Sequence, residues 1–144
     1  MASAMISGLL NKNYSPALIR VIESDSKKRL EIKARFNISS EAEFKKIDED
    51  EIIVLAVKPQ QTESLLISIS HEISQQIILS IAAGIQIKSI EKWTNGHKSI
   101  VRSMPNMCAQ IQLGITALFT QETLDIKNKM AIEELQVLLE ILYG

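Results

Sequence analysis

The residues best placed to do chemistry in this 144-residue chain are three short runs, each at the end of an apolar stretch of strand length. Ala56-Val57-Lys58-Pro59-Gln60 sets a lysine and a proline at the end of the run that begins at Ile52. Ile81-Ala82-Ala83-Gly84 sets three small residues after the run that begins at Ile77. Arg102-Ser103-Met104-Pro105-Asn106 repeats the proline after Ile100-Val101. Two of the three prolines thus stand where strands are expected to stop. Proline and Ala-Gly can simply end strands. Together at one edge of a parallel sheet they favour a ligand cleft, because ligands of such sheets bind beyond the carboxyl ends of the strands. Small residues there let backbone amides approach a flat ligand, such as a nicotinamide or its ribose, with no Cβ in the way. Lys58 reads as a solvated or phosphate-facing lysine rather than a catalytic one.

Other reactive side chains carry less. Cys108, the single cysteine, lies beside apolar residues and reads as a packed thiol. His71 and His97 fall in a surface helix and a turn, where solvated or structural roles are expected. No His, Cys, Asp and Glu spacing resembles a metal site. The acid run Asp48-Glu49-Asp50-Glu51 precedes a strand, away from the ligand edge, and reads as a solvated loop.

The elements that must position these runs alternate. Met1, Met5, Ile6, Leu9 and Leu10 recur at helical spacing, so the first ten residues are expected as a helix. Leu18 to Ile22 is a strand, followed by Glu23-Ser24-Asp25-Ser26, which supplies capping oxygens. Lys27 to Phe36 is a charged helix with Leu30 and Phe36 inward. Ile38 belongs to a short edge strand, and Glu41 to Ile47 to a helical turn or two. Ile52 to Val57 has no polar alternation and belongs in the middle of a sheet covered on both faces. Thr62 to Ile73 is a helix with Leu65, Leu66, Ile69 and Ile73 on one stripe. Ile77 to Ile81 and Ile100-Val101 are further strands, with a short helix over Ile87 to Trp93 between them. A weaker strand is expected at Gly114 to Phe119, and a last helix from about Thr123 to Leu142, with Ile126, Met130, Val137 and Leu138 among its apolar positions. Strands alternating with helices specify an α/β fold, a Rossmann-type doubly wound and mostly parallel sheet. The chain opens on a helix, however, and Gly-x-Gly-x-x-Gly occurs nowhere in it.

Composition bounds the rest. The chain has 46% hydrophobic residues, enough for a core, without a continuous stretch that could span a bilayer. A net charge of −1 gives no long-range attraction to nucleic acid or anionic lipid. One cysteine excludes an internal disulfide framework, and the first residues lack the features of a secretory signal. A cytoplasmic protein is expected.

The three strand-end runs, in this order and spacing, closely resemble pyrroline-5-carboxylate reductase, and the opening Met1-Ala2-Ser3-Ala4-Met5-Ile6 resembles that family's first helix. The resemblance runs essentially from Met1 to Gly144. It implies reduction of the C=N bond of 1-pyrroline-5-carboxylate to L-proline with NADPH or NADH, the last step of proline biosynthesis. Carried over by motif, Ala56, Val57, Lys58 and Pro59 line the cofactor. Ile81, Ala82 and Ala83 pack on the nicotinamide side, with Asn106 at the next strand end. Met1 stands at the helix N-terminus facing the pyrophosphate, where orphan amides favour an anion. Glu23 follows the strand equivalent to the family's second. An acid there binds the ribose 2′-hydroxyl of NAD and repels the 2′-phosphate of NADP, although Lys27, Lys28 and Arg29 lie close enough to counter it. No residue is assigned a catalytic role.

The sequence also departs from the family. Pro105-Asn106 is followed by Met107-Cys108 where the family continues Thr-Pro. The resemblance further implies a central strand ending in Gly-x-Gly-Asn before Met1, and a helical domain after Gly144 that forms the homo-oligomer and supplies most of the substrate site. Residues 1–144 are therefore expected to be an incomplete NAD(P)-binding domain, inactive alone and marginally stable, because the strands at Leu18 and Ile52 lack their common neighbour. A non-catalytic remnant of a disrupted reductase gene is the alternative. A phospho-receiver signalling domain shares Lys58-Pro59 after a strand but needs a carboxylate cluster that is not placed here.

Overall fold

The computed structural model describes residues 2–44, 46–49, 51–105, 116–121 and 125–142. Helix α1 spans Ala2–Asn11, and a 3-10 turn over Pro16–Leu18 leads into strand β1, Arg20–Ile22. Then follow α2 (Ser26–Phe36), β2 (Ser39–Glu41), β3 (Ile52–Leu55), α3 (Pro59–Ile69), β4 (Ile77–Ser80) and α4 (Ile87–Trp93). The chain continues through β5 (Ile100–Pro105), β6 (Thr116–Thr120) and α5 (Ile126–Leu142). Strands β3, β4 and β5 pair in parallel, with Ile53 opposite Ile78 and Leu79 opposite Val101. Strand β6 returns antiparallel to β5. Among the described residues no helix is long and apolar enough to cross a membrane.

Why the layers form is visible in β4. Ile77, Ile78, Leu79 and Ser80 are all buried, so both faces of the strand are covered. Ile78 packs with Ile53, Leu55 and Ile100 against Leu66 and Ile69 of α3 and Ile87 and Ile90 of α4. On the other face Ile77, Leu79 and Val101 meet Met5 of α1 and Ile132 of α5. Helix α3 begins three residues earlier than its stripe suggests, because Pro59 occupies its first turn, where a missing N–H costs nothing. Asp25 caps α2 by accepting from the amides of Lys27 and Lys28, and Asn37 ends that helix in the left-handed conformation.

Several expectations are corrected. Strand β3, read as central, is an outer strand of the sheet β3-β4-β5-β6, while β1 and β2 form a separate parallel pair. Ile53 and Leu55 are buried under α3 and α4, whereas Ile52 and Val54, on the α1–α5 face, are only half-buried. What joins the two sheets is Arg20, whose Nη2 donates to the Lys46 carbonyl and to Glu51 Oε2, each at 2.7 Å. Glu51, at the end of the acid run, is thus a tie between sheets rather than part of a purely solvated loop.

Leu30 points to solvent at 69% exposure, and α2 has no buried residue. A two-stranded sheet offers too little apolar surface to bury that helix. The described residues of the 41–47 stretch form no helix: Glu41 continues β2 opposite Ile22, and Phe44 and Ile47 pack into the α3–α4 side of the core. In α5 it is Ile132 that is buried, whereas Ile126 and Met130 are 80% and 64% exposed.

Candidate functional site

Parallel pairing brings the carboxyl ends of β3 and β4 to one edge. The Ile81 amide donates to the Leu55 carbonyl at 3.3 Å, which extends the ladder one step and sets Ala56 and Ile81 side by side. Ala56 and Val57 are half-buried, and Lys58 and Pro59 are exposed. Lys58 is the N-cap residue of α3, and its ammonium, which has no acceptor to offer the helix amides, belongs to an exposed side chain. Its carbonyl accepts from the Gln61 amide at 2.9 Å and from the buried Thr62 hydroxyl at 3.4 Å. The turn into α3 is therefore held by backbone and by Thr62, independently of the lysine.

Beyond β4 the small residues have a structural use as well. The buried Ser80 hydroxyl accepts from the Ala82 amide at 3.4 Å and folds the chain off the sheet. Ile81 leans on the α1–α5 side of the core, Ala82 is buried, and Ala83 and Gly84 are exposed. Gly84 has φ +74°, a left-handed conformation that L side chains rarely adopt. Thr62 and Ser80, which brace these two turns, carry no motif signal of their own.

The third strand end differs from expectation. Strand β5 runs on past Val101 as far as Pro105, its last residue, which lies opposite Thr116 of β6. Beyond Arg102 the register with β4 has ended and β5 keeps β6 alone, which is where a strand tolerates proline. Asn106, with Met107 and Cys108, lies outside the described residues, as does Met1. Near this end the Arg102 Nε and the Ser103 hydroxyl are buried without a protein partner.

Glu23 closes β1, in the two-stranded sheet. Its amide donates to the Glu41 carbonyl at 2.9 Å, and its Oε1 accepts from the Asp25 amide at 3.0 Å. Arg29 Nη1 donates to the carbonyls of Glu23 and Ser24, each at 2.7 Å. The structure thus brings Ala56 to Pro59 together with Ile81 to Ala83, and places Glu23 at the end of a strand that shares no ladder with them among the described residues.

The histidines stand elsewhere. His97 Nε2 donates to the Gln76 carbonyl at 2.8 Å ahead of β5, and His71 is exposed beside Glu72. Gln76, fully buried, gives its Nε2 to the Ile47 carbonyl and takes the Ser74 amide on its Oε1. An open cleft of about 530 Å³ lined by Lys88, Lys92 and Lys98 also lies by the turn into β5, not at the β3–β4 carboxyl edge. Its lysines stand on a solvated flank, and shape alone does not make it the site.

Comparison with known proteins follows this geometry. A family model described as NADP oxidoreductase, coenzyme F420-dependent, matches residues 1–84. The pyrroline-5-carboxylate reductase of Pseudomonas aeruginosa is 31% identical over 121 residues, covering 83% of this chain and 44% of that protein. A solved pyrroline-5-carboxylate reductase from Coxiella burnetii matches with a TM-score of 0.79 at 28% identity, over 95% of this chain and 52% of its own. A Plasmodium falciparum pyrroline carboxylate reductase solved with NADP bound matches with a TM-score of 0.65 over 92% of this chain and 48% of its own; at 23% identity that likeness is one of fold. The chain spans about half the length of the curated relatives it matches. With the family model covering more than half of its residues, this chain belongs to the NADP oxidoreductase, coenzyme F420-dependent family, and the relatives it matches are pyrroline-5-carboxylate reductases.

Proposed function

We propose that residues 1–144 are the cofactor-binding part of an NAD(P)H-dependent reductase that converts 1-pyrroline-5-carboxylate to L-proline. The observation that carries this reading is the pairing of two strand ends at one edge, Ala56 to Pro59 beside Ile81 to Ala83, in a chain whose relatives bear that enzyme name. The described residues fit a dinucleotide. Glu23 supplies a carboxylate for a ribose diol, the Ala82–Ala83 turn admits a flat ring, and Lys58 offers a cation for a phosphate. When bound, the cofactor supplies the hydride. The chain's own residues orient it: Val57 and Ile81 give apolar walls, and the Ser80 hydroxyl holds the turn at Ala82. Met1 and Asn106 complete the proposed cofactor set. No catalytic acid is assigned, and the homo-oligomer and the cytoplasmic location are carried with the family reading.

A second reading is a non-catalytic remnant of such a reductase. It is favoured by one observation, that β1–β2 and β3–β6 share no ladder among the described residues. Titration of the purified chain with NADH and NADPH, followed by nucleotide fluorescence, separates the two. Saturable binding of either nucleotide is expected. Its absence contradicts the cofactor role and leaves the remnant. In the same preparation no proline is expected from 1-pyrroline-5-carboxylate, and measurable turnover would overturn the reading of these residues as a cofactor-binding part alone.

A further inference from the structure

Resting on the cofactor site proposed above, we infer that Glu23 selects the dinucleotide without a 2′-phosphate, so that this chain takes NADH in preference to NADPH. A carboxylate at the end of the strand before the second helix of a dinucleotide fold accepts from the ribose 2′-hydroxyl, whereas an arginine there accommodates the 2′-phosphate. Both residue types occur in this turn, at Glu23 and Arg29, and the hydrogen bonds decide between them.

The Glu23 carboxylate is held in place. Its Oε1 accepts from the Asp25 amide at 3.0 Å, which fixes the side chain over the β1–α2 turn. Its other oxygen has no protein partner among the described residues and is left for a hydroxyl. Arg29 turns its Nη1 to the backbone instead, donating to the Glu23 and Ser24 carbonyls at 2.7 Å each. It braces the turn that presents Glu23. Asp25 adds a second negative group, since its Oδ1 accepts from the amides of Lys27 and Lys28 at 2.8 and 3.4 Å. A 2′-phosphate would therefore meet the half-buried Glu23 carboxylate, with the Nη1 of Arg29 turned to the backbone. Lys27 and Lys28, like Asp25, are exposed at the start of α2, where solvent screens them. A close pair of like charges at a surface of intermediate dielectric lowers affinity by on the order of tenfold or more.

The experiment titrates the purified chain with NADH and NADPH and takes the ratio of the dissociation constants. NADH is expected to bind at least about tenfold more tightly. In E23Q the amide oxygen still accepts from the Asp25 amide while the charge is gone, so the ratio is expected to shrink to within about threefold, mainly through tighter NADPH binding. In D25N the neutral oxygen still caps α2, and the ratio is expected to move less than in E23Q. Equal or tighter NADPH binding by the parent chain overturns the inference without any variant. A ratio unmoved in E23Q overturns it too, and a larger shift in D25N transfers the selection to Asp25. Binding of neither nucleotide removes the cofactor site itself and this inference with it.

Discussion

Gly84 offers a perturbation whose size can be worked out before it is made. Its φ of +74° lies in the left-handed region, and a Cβ added there meets no atom within 4 Å. Alanine at this position therefore clashes with nothing and costs only the backbone conformation, roughly 1–2 kcal/mol for an L residue. For a domain of this size each kcal/mol moves the melting midpoint by about 4 °C, so G84A is expected to melt about 4–8 °C lower. Asparagine tolerates this conformation better, and the chain already uses it at Asn13, Asn37 and Asn95, with φ of 62°, 54° and 55°. G84N should thus lose less than half as much. Gly96, at φ +88° and equally open, is the control, because it stands in the turn before β5 rather than at the β4 carboxyl end. Thermal melts by circular dichroism together with an NADH titration test all three variants. Similar thermal losses in G84A and G96A are expected, with weaker NADH binding in G84A alone. A G84A protein that melts like the parent, or a G84N protein as unstable as G84A, refutes the backbone argument. Equal loss of NADH binding in G96A refutes the placement of the site.

Three further predictions test the packing. Leu66 is completely buried between α3 and the sheet, and L66A should cost about 2–5 kcal/mol in urea unfolding. D25A removes the oxygen that accepts from two amides of α2 and should cost about 1 kcal/mol, with faster amide exchange confined to the first turn of that helix. Met130, at 64% exposure on α5, should tolerate replacement by lysine within about 0.5 kcal/mol; a loss above 2 kcal/mol would mean that its face is covered.

The alternation of elements was readable because each apolar run is long enough to declare its period. Ile77 to Ser80 is buried on every residue, as a run without polar positions demands, and Leu66 and Ile69 carry the α3 stripe inward. What escaped reading depends on partners distant in sequence. A run such as Ile52 to Leu55 states that both faces are apolar, not whether a strand lies beyond it, and here none does among the described residues. Leu30 is spaced as an inward residue, but a small β1–β2 pair cannot cover it. Ile100-Val101 reads as a short strand, yet β5 runs on to Pro105 because β6 pairs with it after the register with β4 has ended. The bonds from Gln76 to the Ile47 carbonyl and from Arg20 to Glu51 span 29 and 31 residues and leave no local pattern. At the site, the position of Glu23 after a strand was legible. The commitment of Arg29 to the Glu23 and Ser24 carbonyls was not, because it is a matter of rotamer and turn geometry.

The central claim is that a dinucleotide binds at the carboxyl edge of β3 and β4, with its ribose at the end of β1. Amide hydrogen exchange of the purified chain, with and without saturating NADH, tests it most directly. The account predicts slowed exchange at residues 23–25, 56–61 and 81–84, and no change around the lysine-lined cleft near residues 88–98. Protection confined to that cleft, or no saturable protection anywhere, would contradict it.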